Sequence, residues 1–378
     1  MKSCNFCLMN KTVSSLKIDK KGRCQFCLIH QKMENEYPLN KNTKKELEKI
    51  VNKIKLSGKG KKYDCICGIS GGRDSSYMLY YVKVILGLRP LAVHYDNGFN
   101  SDISVRNIYN ICEKLEVDLE TEVENWDNFK EILRALFISS VPDVDIATDI
   151  GIFKTMYKFA DKEKIKYVVN GHNFRSEGLD PLVWTYMDPL YLKDICKKHN
   201  PKVNLKKFNN FYLRDIFQYK FIKRIKTFLP LNYINLNYSQ IEKKLTEEYG
   251  WKFYDAHHYE SLFTKFLVGY YLPQKFNIDR RITDLSAEIR SNKISKKSGQ
   301  DILNSPIKLK DKDKVIKYVL SKLDFNDEEW GVIMNSKNKN YKDFNNYLNY
   351  FKFLKFFVII LVKIKIIPMI LYLKFFEQ

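Results

Sequence analysis

Residues 70–76 read SGGRDSS and stand where an apolar run of strand character gives way to a helical pattern. Glycine allows a ligand to approach the backbone closely, and the N–H groups at the start of a helix converge with nearby serine hydroxyls at the positive end of the helix dipole. Such a turn binds phosphate oxygens, and an aspartate beside it suits a Mg²⁺ ion. The sequence therefore predicts a phosphate-binding turn with six candidate ligands: Ser70, Gly71, Gly72, Asp74, Ser75 and Ser76.

The turn lies in a region where apolar runs alternate with helical segments. Strands are expected at YDCICGIS, PLAVHYD, VDLETEV and IKYVVNG, and helices near residues 75–86, 102–115, 127–138 and 145–163. Strands that alternate with helices of this length predict an α/β fold with a parallel sheet and helices on both faces.

Four cysteines near the N-terminus form two C-x2-C pairs separated by sixteen residues. Each pair presents two thiolates to one edge of a tetrahedron, so this spacing predicts a structural zinc ribbon without an open coordination position. A redox-active dithiol is the alternative. The zinc ligands would be Cys4, Cys7, Cys24 and Cys27, and we interpret Cys65, Cys67, Cys112 and Cys196 as core residues.

The composition is that of a globular protein, with 378 residues, 45% hydrophobic residues and a formal net charge of +21. The length suits two or three domains. The positive charge indicates either a solvated lysine-rich surface or an anionic partner such as a nucleotide, a nucleotide sugar, RNA or an acidic membrane surface. The opening MKSCNFC has no apolar secretory segment, so we expect a cytoplasmic protein whose cysteines are reduced.

An apolar run occupies residues 356–376, FFVIILVKIKIIPMILYLKFF. Lys363, Lys365 and Pro368 interrupt it, which argues against a helix that crosses a membrane. We expect a buried pair of helices broken near Pro368. Peripheral contact with the inner membrane, by lysines and aromatic residues together, is the alternative.

The pattern S-G-G-x-D-S, with a strand before it and a helix after it, resembles the PP-loop of the N-type ATP pyrophosphatase superfamily. The resemblance implies a Rossmann-like (HUP-type) sheet and a reaction that splits ATP between its α- and β-phosphates and transfers AMP to a substrate oxygen. It also implies direct roles for Asp74, as a Mg²⁺ ligand, and for Ser75.

The same resemblance implies that the ends of two further strands contact the nucleotide, because ligands of open α/β sheets bind there. A purely structural role is the alternative for His172 in particular. The residues concerned are His94, Asp96, Gly171, His172 and Asn173.

Up to about residue 305, the sequence resembles the N-acetyl sugar amidotransferases of bacterial lipopolysaccharide, surface-polysaccharide and flagellin-glycan biosynthesis. The resemblance implies that the acetamido oxygen of a nucleotide-activated N-acetyl amino sugar is adenylated and then replaced by ammonia, giving an acetamidino sugar. A separate glutaminase subunit is implied as the source of ammonia, and no nucleic acid is expected as a partner. The stretches that carry the resemblance are CNFC, CQFC, GISGGRDSS and residues 142–178 and 229–295.

The resemblance also directs attention to polar residues that lie after the predicted sheet. Glu177 and Glu260 are candidates for orienting ammonia or moving its protons, and His258 is a further catalytic candidate, in a stretch that offers donors for phosphate or carboxylate. Thr264, Lys265 and the segment at residues 279–281 offer donors for phosphate or carboxylate. We expect a zinc ribbon at 1–32, a helical connector at 33–62, the PP-loop domain at 63–200, a mainly helical substrate-binding extension at 201–310 and a helical tail at 311–378.

Two other classes of function remain open. A tRNA-modifying PP-loop enzyme of the thiolase type would need catalytic cysteines beside the ATP site, whereas Cys65 and Cys67 precede the turn within a strand. A nucleotide-sensing or membrane-associated binding module would need no turnover at all.

Overall fold

The computed structural model describes residues 3–208, 210–254, 259–364 and 366–378. Its central element is a five-stranded sheet of order β3-β2-β1-β4-β5, in which neighbouring strands are parallel. The predicted α/β fold is therefore confirmed. The strands are β1 (Cys65–Gly68), β2 (Pro90–Asp96), β3 (Leu119–Val123), β4 (Tyr167–Val169) and β5 (Lys226–Phe228).

The register of the sheet determines which segments meet. Strand β1 pairs with β2 on one side, where Gly68 is opposite Val93, and with β4 on the other, where Cys67 is opposite Val169. Parallel strands end at the same edge of a sheet, so the segments that follow these three strands lie next to one another. This edge brings together residues 69–76, 97–100 and 170–178.

The N-terminal part consists of the cysteine-bearing loops and two helices. Asn40 starts the second helix, where its side chain accepts hydrogen bonds from the N–H groups of Asn42 and Thr43. This capping agrees with the helical connector that was expected between the ribbon and the sheet. The helices are α1 (Gln25–Glu36) and α2 (Lys41–Ser57).

The helices that connect the strands begin and end within a few residues of their predicted positions. Polar caps set two of the starts: the side chain of Ser101 accepts from the N–H of Ser104, and that of Asn125 accepts from the N–H of Asn128. The helices are α3 (Arg73–Tyr80), which a π-helical turn continues (Tyr81–Ile85), α4 (Asp102–Lys114), α5 (Trp126–Ile138) and α6 (Ile146–Lys162).

The part that follows β4 is mainly helical, as expected, but it also supplies the edge strand β5. The sheet thus extends beyond residue 200, where we placed the end of the PP-loop domain. The helices up to residue 304 are α7 (Pro189–His199), α8 (Leu205–Phe208), α9 (Leu213–Phe217), α10 (Tyr238–Tyr249), α11 (Leu262–Phe266), α12 (Leu272–Phe276), α13 (Arg281–Arg290) and α14 (Lys296–Asn304); π-helical turns Gln218–Ile222 and Leu267–Tyr271 follow α9 and α11, and a 3-10 turn spans Pro230–Tyr233.

Aromatic side chains join the C-terminal third of the chain to the sheet domain. Phe137 of α5 lies with its ring centre 4.9 Å from that of Tyr271 and 5.4 Å from that of Trp330. Phe99, which follows β2, lies 4.9 Å from Phe263. Edge-to-face aromatic contacts add to the free energy of burial, so this cluster fixes the C-terminal part against the sheet.

The tail forms a pair of helices that Pro368 separates, as expected. The second helix, α19, buries Ile370 and Leu373 against α1. The first, α18, leaves Phe356 and Phe357 exposed by 70% and 62%, so the expected burial is wrong for this helix. The C-terminal helices are α15 (Lys312–Lys322), α16 (Asp327–Asn335), α17 (Leu348–Phe353), α18 (Lys355–Lys363) and α19 (Met369–Phe376), and a short 3-10 turn spans Tyr341–Asp343.

Within the described ranges, none of the helices combines the length and the apolar character that crossing a bilayer requires.

Candidate active site

The turn after β1 is shaped for close approach of a ligand to the backbone. Gly71 adopts a φ of +75°, and a Cβ atom added there would lie 2.2 Å from the carbonyl oxygen of Ser104. Gly72 precedes α3 in an extended conformation, so the unpaired N–H groups of the first helical turn begin here. Only glycine fits at position 71, and the turn has the backbone geometry that phosphate binding requires.

The serines of the turn have two different surroundings. The Oγ atoms of Ser70 and Ser75 lie 3.1 Å apart, and the N–H of Ser70 donates to Oγ of Ser75 at 3.2 Å. The N–H of Gly72 donates to Oγ of Ser70 at 3.3 Å. Ser76, in contrast, is completely buried, and its hydroxyl has no hydrogen-bond partner among the described residues. The turn therefore offers the hydroxyls of Ser70 and Ser75 to a ligand, whereas that of Ser76 lies beneath it.

Asp74 is held in position by its neighbour Arg73. The Nε atom of Arg73 donates to Oδ1 of Asp74 at 3.1 Å, and its Nη1 atom donates to Oε1 of Glu242 at 2.9 Å. The guanidinium carbon also lies 3.6 Å from the ring centre of Tyr238. Because these three contacts hold the guanidinium group of Arg73 in place, it orients the carboxylate of Asp74. A carboxylate so placed next to a phosphate-binding turn fits Mg²⁺, and Asp74 would hold the ion.

The segment after β4 brings one of the predicted residues, Gly171, to the turn. A Cβ atom added to Gly171 would lie 3.5 Å from the carbonyl oxygen of Asp74, so this glycine packs directly beside the phosphate-binding turn. His172 is half-buried, and its Nδ1 atom lies 3.9 Å from Oε2 of Glu177. The structure thus brings together an imidazole and a carboxylate to which the sequence analysis gave separate roles.

Asn173 has a different place from the one expected. It is almost completely buried, its Nδ2 atom donates to the carbonyl oxygen of Leu231 at 2.8 Å, and its Oδ1 atom accepts from the N–H of Arg175 at 2.8 Å. The N–H of Asn173 donates to Oε1 of Glu177 at 3.1 Å. Its side chain therefore shapes the loop that carries Glu177.

His94 also supports the site from inside the protein. Its Nδ1 atom lies 2.9 Å from the carbonyl oxygen of Ile69, and its Nε2 atom lies 3.0 Å from Nδ2 of Asn100. A neutral ring that donates from Nδ1 and accepts at Nε2 satisfies both contacts, and burial lowers the pKa of His94 in agreement. Asp96, at the end of β2, accepts from the N–H of Gly98 at 2.8 Å. His94 thus positions the segment that leads into the turn.

Glu260 comes from a distant part of the sequence and lies over the turn. Its Oε1 atom is 3.5 Å from Oγ of Ser70, and a Cβ atom added to Gly72 would lie 2.9 Å from the same Oε1 atom. The N–H of Arg73 donates to the hydroxyl of Tyr254 at 3.1 Å. The predicted His258 lies outside the described residues. The extension therefore covers the phosphate-binding turn with a carboxylate and a phenol.

A group of charged side chains lies nearby, and of its members only Arg280 was assigned a role from the sequence. Nη1 of Arg280 lies 2.9 Å from Oδ2 of Asp180. Burial, followed by the negative charge of Asp145, raises the pKa of Asp149 to about 7, and the positive charges of Lys374 and Arg280 oppose this rise. Burial likewise lowers the pKa of Lys374. We call these five residues the charged cluster.

The charged cluster had only a partial signal in the sequence. Asp145 and Asp149 belong to an apolar stretch that contributed to the family resemblance, and aspartates in such a stretch indicate a buried polar site. Lys374 stands in the apolar tail, where nothing in the pattern distinguishes it from an interfacial lysine. Asn97, directly after β2, places the group at the same edge of the sheet, because its Nδ2 atom donates to Oγ1 of Thr148 at 3.1 Å in the first turn of α6.

The four N-terminal cysteines converge as predicted, with their sulfur atoms all within 4.8 Å of one another. Four of the Sγ–Sγ distances are 3.6 to 3.7 Å. A single tetrahedral zinc ion with bonds of about 2.3 Å places its sulfur ligands about 3.8 Å apart, so this donor set fits one ion. Nη1 of Arg290 lies 3.6 Å from Sγ of Cys7 and offsets part of the thiolate charge. The other four cysteines are buried in the core, as expected.

Comparison with known proteins assigns a family to one part of the chain. Residues 260–357 match the family described as LPS biosynthesis protein WbpG-like, C-terminal domain. This match confirms the resemblance to lipopolysaccharide biosynthesis proteins. A segment of 118 residues is 35% identical to an uncharacterized protein of Methanocaldococcus jannaschii; it covers 31% of this chain and 40% of that protein. The chain therefore spans less than half of the length of this relative.

Solved structures give broader likenesses. An NH3-dependent NAD synthetase from Campylobacter jejuni shares 14% identity over 57% of this chain and 98% of its own, with a TM-score of 0.28. A U34-tRNA thiolase from Methanococcus maripaludis, which carries a 4Fe-4S cluster, shares 13% identity over 82% of this chain and 90% of its own, with a TM-score of 0.32. An NMN synthetase from Francisella tularensis shares 15% identity over 59% of this chain and 90% of its own, with a TM-score of 0.29. At these TM-scores the likenesses carry no argument about function.

The chain thus combines a parallel α/β sheet, which carries the glycine- and serine-rich turn at residues 70–76, with a segment at residues 260–357 that matches the lipopolysaccharide biosynthesis family.

Proposed function

We propose that this protein is an ATP-dependent, AMP-forming amidotransferase that converts the N-acetyl group of a nucleotide-linked amino sugar into an acetamidino group. One observation carries the proposal: Glu260, at the start of the segment that matches the lipopolysaccharide biosynthesis family, lies 3.5 Å from Ser70 of the phosphate-binding turn. This contact supports the proposal that the segment matching the lipopolysaccharide biosynthesis family and the turn to which we assign the nucleotide act together.

The reaction needs an activated oxygen because a carbonyl oxygen is a poor leaving group. In the proposed sequence the acetamido oxygen bonds to the α-phosphorus of ATP, and the bond to the pyrophosphate breaks. Ammonia then adds to the imidate carbon, the carbon–oxygen bond breaks, and AMP departs. The turn supplies N–H groups and the hydroxyls of Ser70 and Ser75 to the negative charge that develops on the pyrophosphate. Mg²⁺ held by Asp74 would neutralise phosphate charge.

His172 and Glu177 are placed to handle the protons of ammonia. Their closest atoms are 3.9 Å apart, and both are half-buried at the edge of the sheet beside Gly171. An imidazole near a carboxylate accepts a proton from an attacking amine, and the carboxylate stabilises the imidazolium that forms. We therefore assign these two residues to proton transfer in the ammonia step.

We propose that a separate glutaminase subunit supplies the ammonia. Glutamine hydrolysis by a cysteine enzyme requires an accessible thiolate. All eight cysteines of this chain either belong to the N-terminal cluster or are buried in the core. The same observation weighs against a tRNA thiolase, because Cys65 and Cys67 are fully buried and burial raises the pKa of Cys67 well above its usual value.

We propose zinc as the resident ion of the cysteine cluster. Leu8 directly follows Cys7 and packs with Leu285 and Ile289 of α13. Its N–H donates to Oγ of Ser286 at 3.1 Å. The ribbon thus holds α13 in place, and a structural ion with four ligands suits that role.

We also propose that the tail contacts the inner membrane peripherally. Four apolar residues are exposed here: Phe353 at the end of α17, Phe356 and Phe357 in α18, and Ile364 directly after α18. No acidic residue occurs between residues 344 and 376, and lysines accompany the aromatic residues. Lysine stems and aromatic rings together suit an anionic bilayer surface.

The proposed reaction is tested by incubating the purified protein with ATP, Mg²⁺, ammonium and a panel of UDP- and CMP-linked N-acetyl amino sugars. The expected result is AMP together with a sugar product lighter by one mass unit, because NH replaces O. Asp74→Asn should abolish both products. AMP formation that depends on tRNA, and not on any sugar of the panel, would overturn the proposal.

A further inference from the structure

Hydrogen bonds fix the backbone around Glu260 to residues 99–101, the segment that follows β2. The N–H of Ser101 donates to the carbonyl oxygen of Glu260 at 3.0 Å. Ser261 and Asn100 form an antiparallel bridge, and the N–H of Leu262 donates to the carbonyl oxygen of Phe99 at 2.8 Å. Three consecutive residues are thus bonded to the segment after β2, so the position of the Glu260 carboxylate over the turn is built into the fold.

This position places a negative charge beside a site that is shaped for anions. The Oε1 atom of Glu260 lies within reach of the Ser70 hydroxyl and close to the backbone of Gly72, where phosphate oxygens are expected. A carboxylate and a pyrophosphate at such a distance repel each other strongly when they are half-buried. A cation between them would offset this repulsion.

Asp74 approaches the same region from the helix side. It stands in the first turn of α3, two residues after Gly72, and burial followed by the charge of Glu260 and, to a smaller extent, that of Asp74 raises the pKa of Tyr254. Its oxygen is tied to the turn by the N–H of Arg73. Two carboxylates from different parts of the chain therefore flank the phosphate-binding turn. Oxygen ligands from two carboxylates and from phosphates are the set that Mg²⁺ prefers.

We infer that Glu260 is a ligand of the divalent cation that accompanies the pyrophosphate group, so that the cation and the phosphates bind cooperatively through this residue. The inference rests on the nucleotide site of the proposed function and deepens it, because it gives Glu260 a role in metal binding in place of the ammonia step. Without the cation Glu260 opposes the binding of the phosphates, and with the cation it supports their binding.

Two opposite effects of one substitution test this inference. The affinity for inorganic pyrophosphate is measured by titration calorimetry with saturating Mg²⁺ and with EDTA, for the wild type, Glu260→Gln and the control Glu247→Gln, an exposed glutamate of α10. Wild type and control should bind at least about tenfold more tightly with Mg²⁺. Glu260→Gln should bind more tightly than wild type in EDTA and more weakly in Mg²⁺.

A second measurement observes the cation directly. Mn²⁺ in place of Mg²⁺ gives a paramagnetic signal that changes when the ion is bound, and Glu260→Gln should lose most of the bound Mn²⁺ in the presence of pyrophosphate. Glu260→Asp keeps the negative charge and should retain part of the bound Mn²⁺. This variant separates the loss of a metal ligand from a loss of folding. An unchanged ratio of the Mg²⁺ and EDTA affinities in Glu260→Gln overturns the inference.

The failure of the proposed function has a different signature. If wild-type protein binds no pyrophosphate under either condition, the nucleotide site itself is wrong, and so is the inference. If pyrophosphate binds with the expected dependence on Glu260 but no N-acetyl sugar is converted, the inference stands and the proposed substrate is wrong.

Discussion

The carbonyl oxygen of Ser104 lies directly against Gly71, where an added Cβ atom would be only 2.2 Å away. Gly71→Ala should therefore displace the turn and lower the affinity for ATP by at least about tenfold, because the N–H groups would no longer converge on the phosphates. Titration calorimetry with ATP and Mg²⁺ measures the change.

Gly60→Ala is the matched control for this change. Gly60 has a φ of +76°, close to the +75° of Gly71, but an added Cβ atom would meet nothing within 4 Å. The control variant therefore has the same backbone strain, which lowers the free energy of unfolding by about 1 kcal/mol, but it lacks the steric clash. If both variants bound ATP as tightly as the wild type does, the close approach at Gly71 would have no bearing on the nucleotide.

Cys7→Ser should release the metal of the N-terminal cluster. Its sulfur lies 3.6 Å from that of Cys24 and 3.7 Å from that of Cys27, so one ligand of the ion would be lost. Emission spectroscopy of purified protein should find about one zinc per chain in the wild type and far less in the variant. The midpoint of thermal unfolding should fall as well, since the ribbon packs on α13.

Cys112→Ala serves as the control because Cys112 is buried in the core and remote in sequence from the cluster. It should keep the full metal content. Iron in place of zinc in the wild type, or unchanged metal in Cys7→Ser, would contradict the assignment.

The alternation of strands and helices was sufficient to predict most of the sheet. Strands β1, β2 and β4 are apolar runs bounded by helical segments, whereas β3 alternates apolar and polar residues. The glycines at 71 and 72 identified the turn. Strand β5 escaped prediction because it has only three residues, the burial of which increases from exposed Lys226 to buried Phe228, in a basic and aromatic region without a clear period.

Long-range contacts set the limit of prediction at the site. Ser70 and Glu260 are 190 positions apart, and nothing local at either position specifies their proximity. The sequence indicated that His94 and Asn173 lie at the ends of strands, and the structure places His94 in the last part of β2 and Asn173 four residues after β4. It could not show that backbone carbonyls and amides of neighbouring segments would occupy both side chains, because those partners come from the tertiary structure.

The charged cluster should make stability depend on pH. Burial and Asp145 raise the pKa of Asp149 to about 7, against about 4 in an unfolded chain. The folded protein then binds more protons than the unfolded chain between these values, so the free energy of unfolding falls as the pH rises from about 4 to 7. Asp149→Asn removes this contribution. The free energy of unfolding of the variant, relative to that of the wild type, should therefore be about 2 kcal/mol higher at pH 8 than at pH 5.

Urea denaturation at both pH values measures this difference. Asp301→Asn, which changes an exposed aspartate of α14, should follow the wild type at each pH. A difference between Asp149→Asn and the wild type that is equal at pH 5 and pH 8 would mean that Asp149 is ionised in the folded protein throughout.

The exposed face of α18 should bind anionic lipid. The wild type is expected to sediment with vesicles that contain phosphatidylglycerol and not with vesicles of phosphatidylcholine alone, because the lysines of the tail require negative charge. Replacing Phe356 and Phe357 by serine should abolish sedimentation, since these rings are exposed by 70% and 62%. Phe217→Ser, which removes another exposed ring, should have no effect. Wild-type protein that stays in solution with both kinds of vesicle would exclude this contact.

The most direct measurement is a crystal structure of the protein with Mg²⁺ and an ATP analogue that resists cleavage between the α- and β-phosphates. We expect the β- and γ-phosphates to accept hydrogen bonds from the backbone and hydroxyls of residues 70–75, with the cation between Asp74 and Glu260. A triphosphate bound anywhere else, with this turn unoccupied, would contradict the central claim that the turn holds the pyrophosphate that leaves.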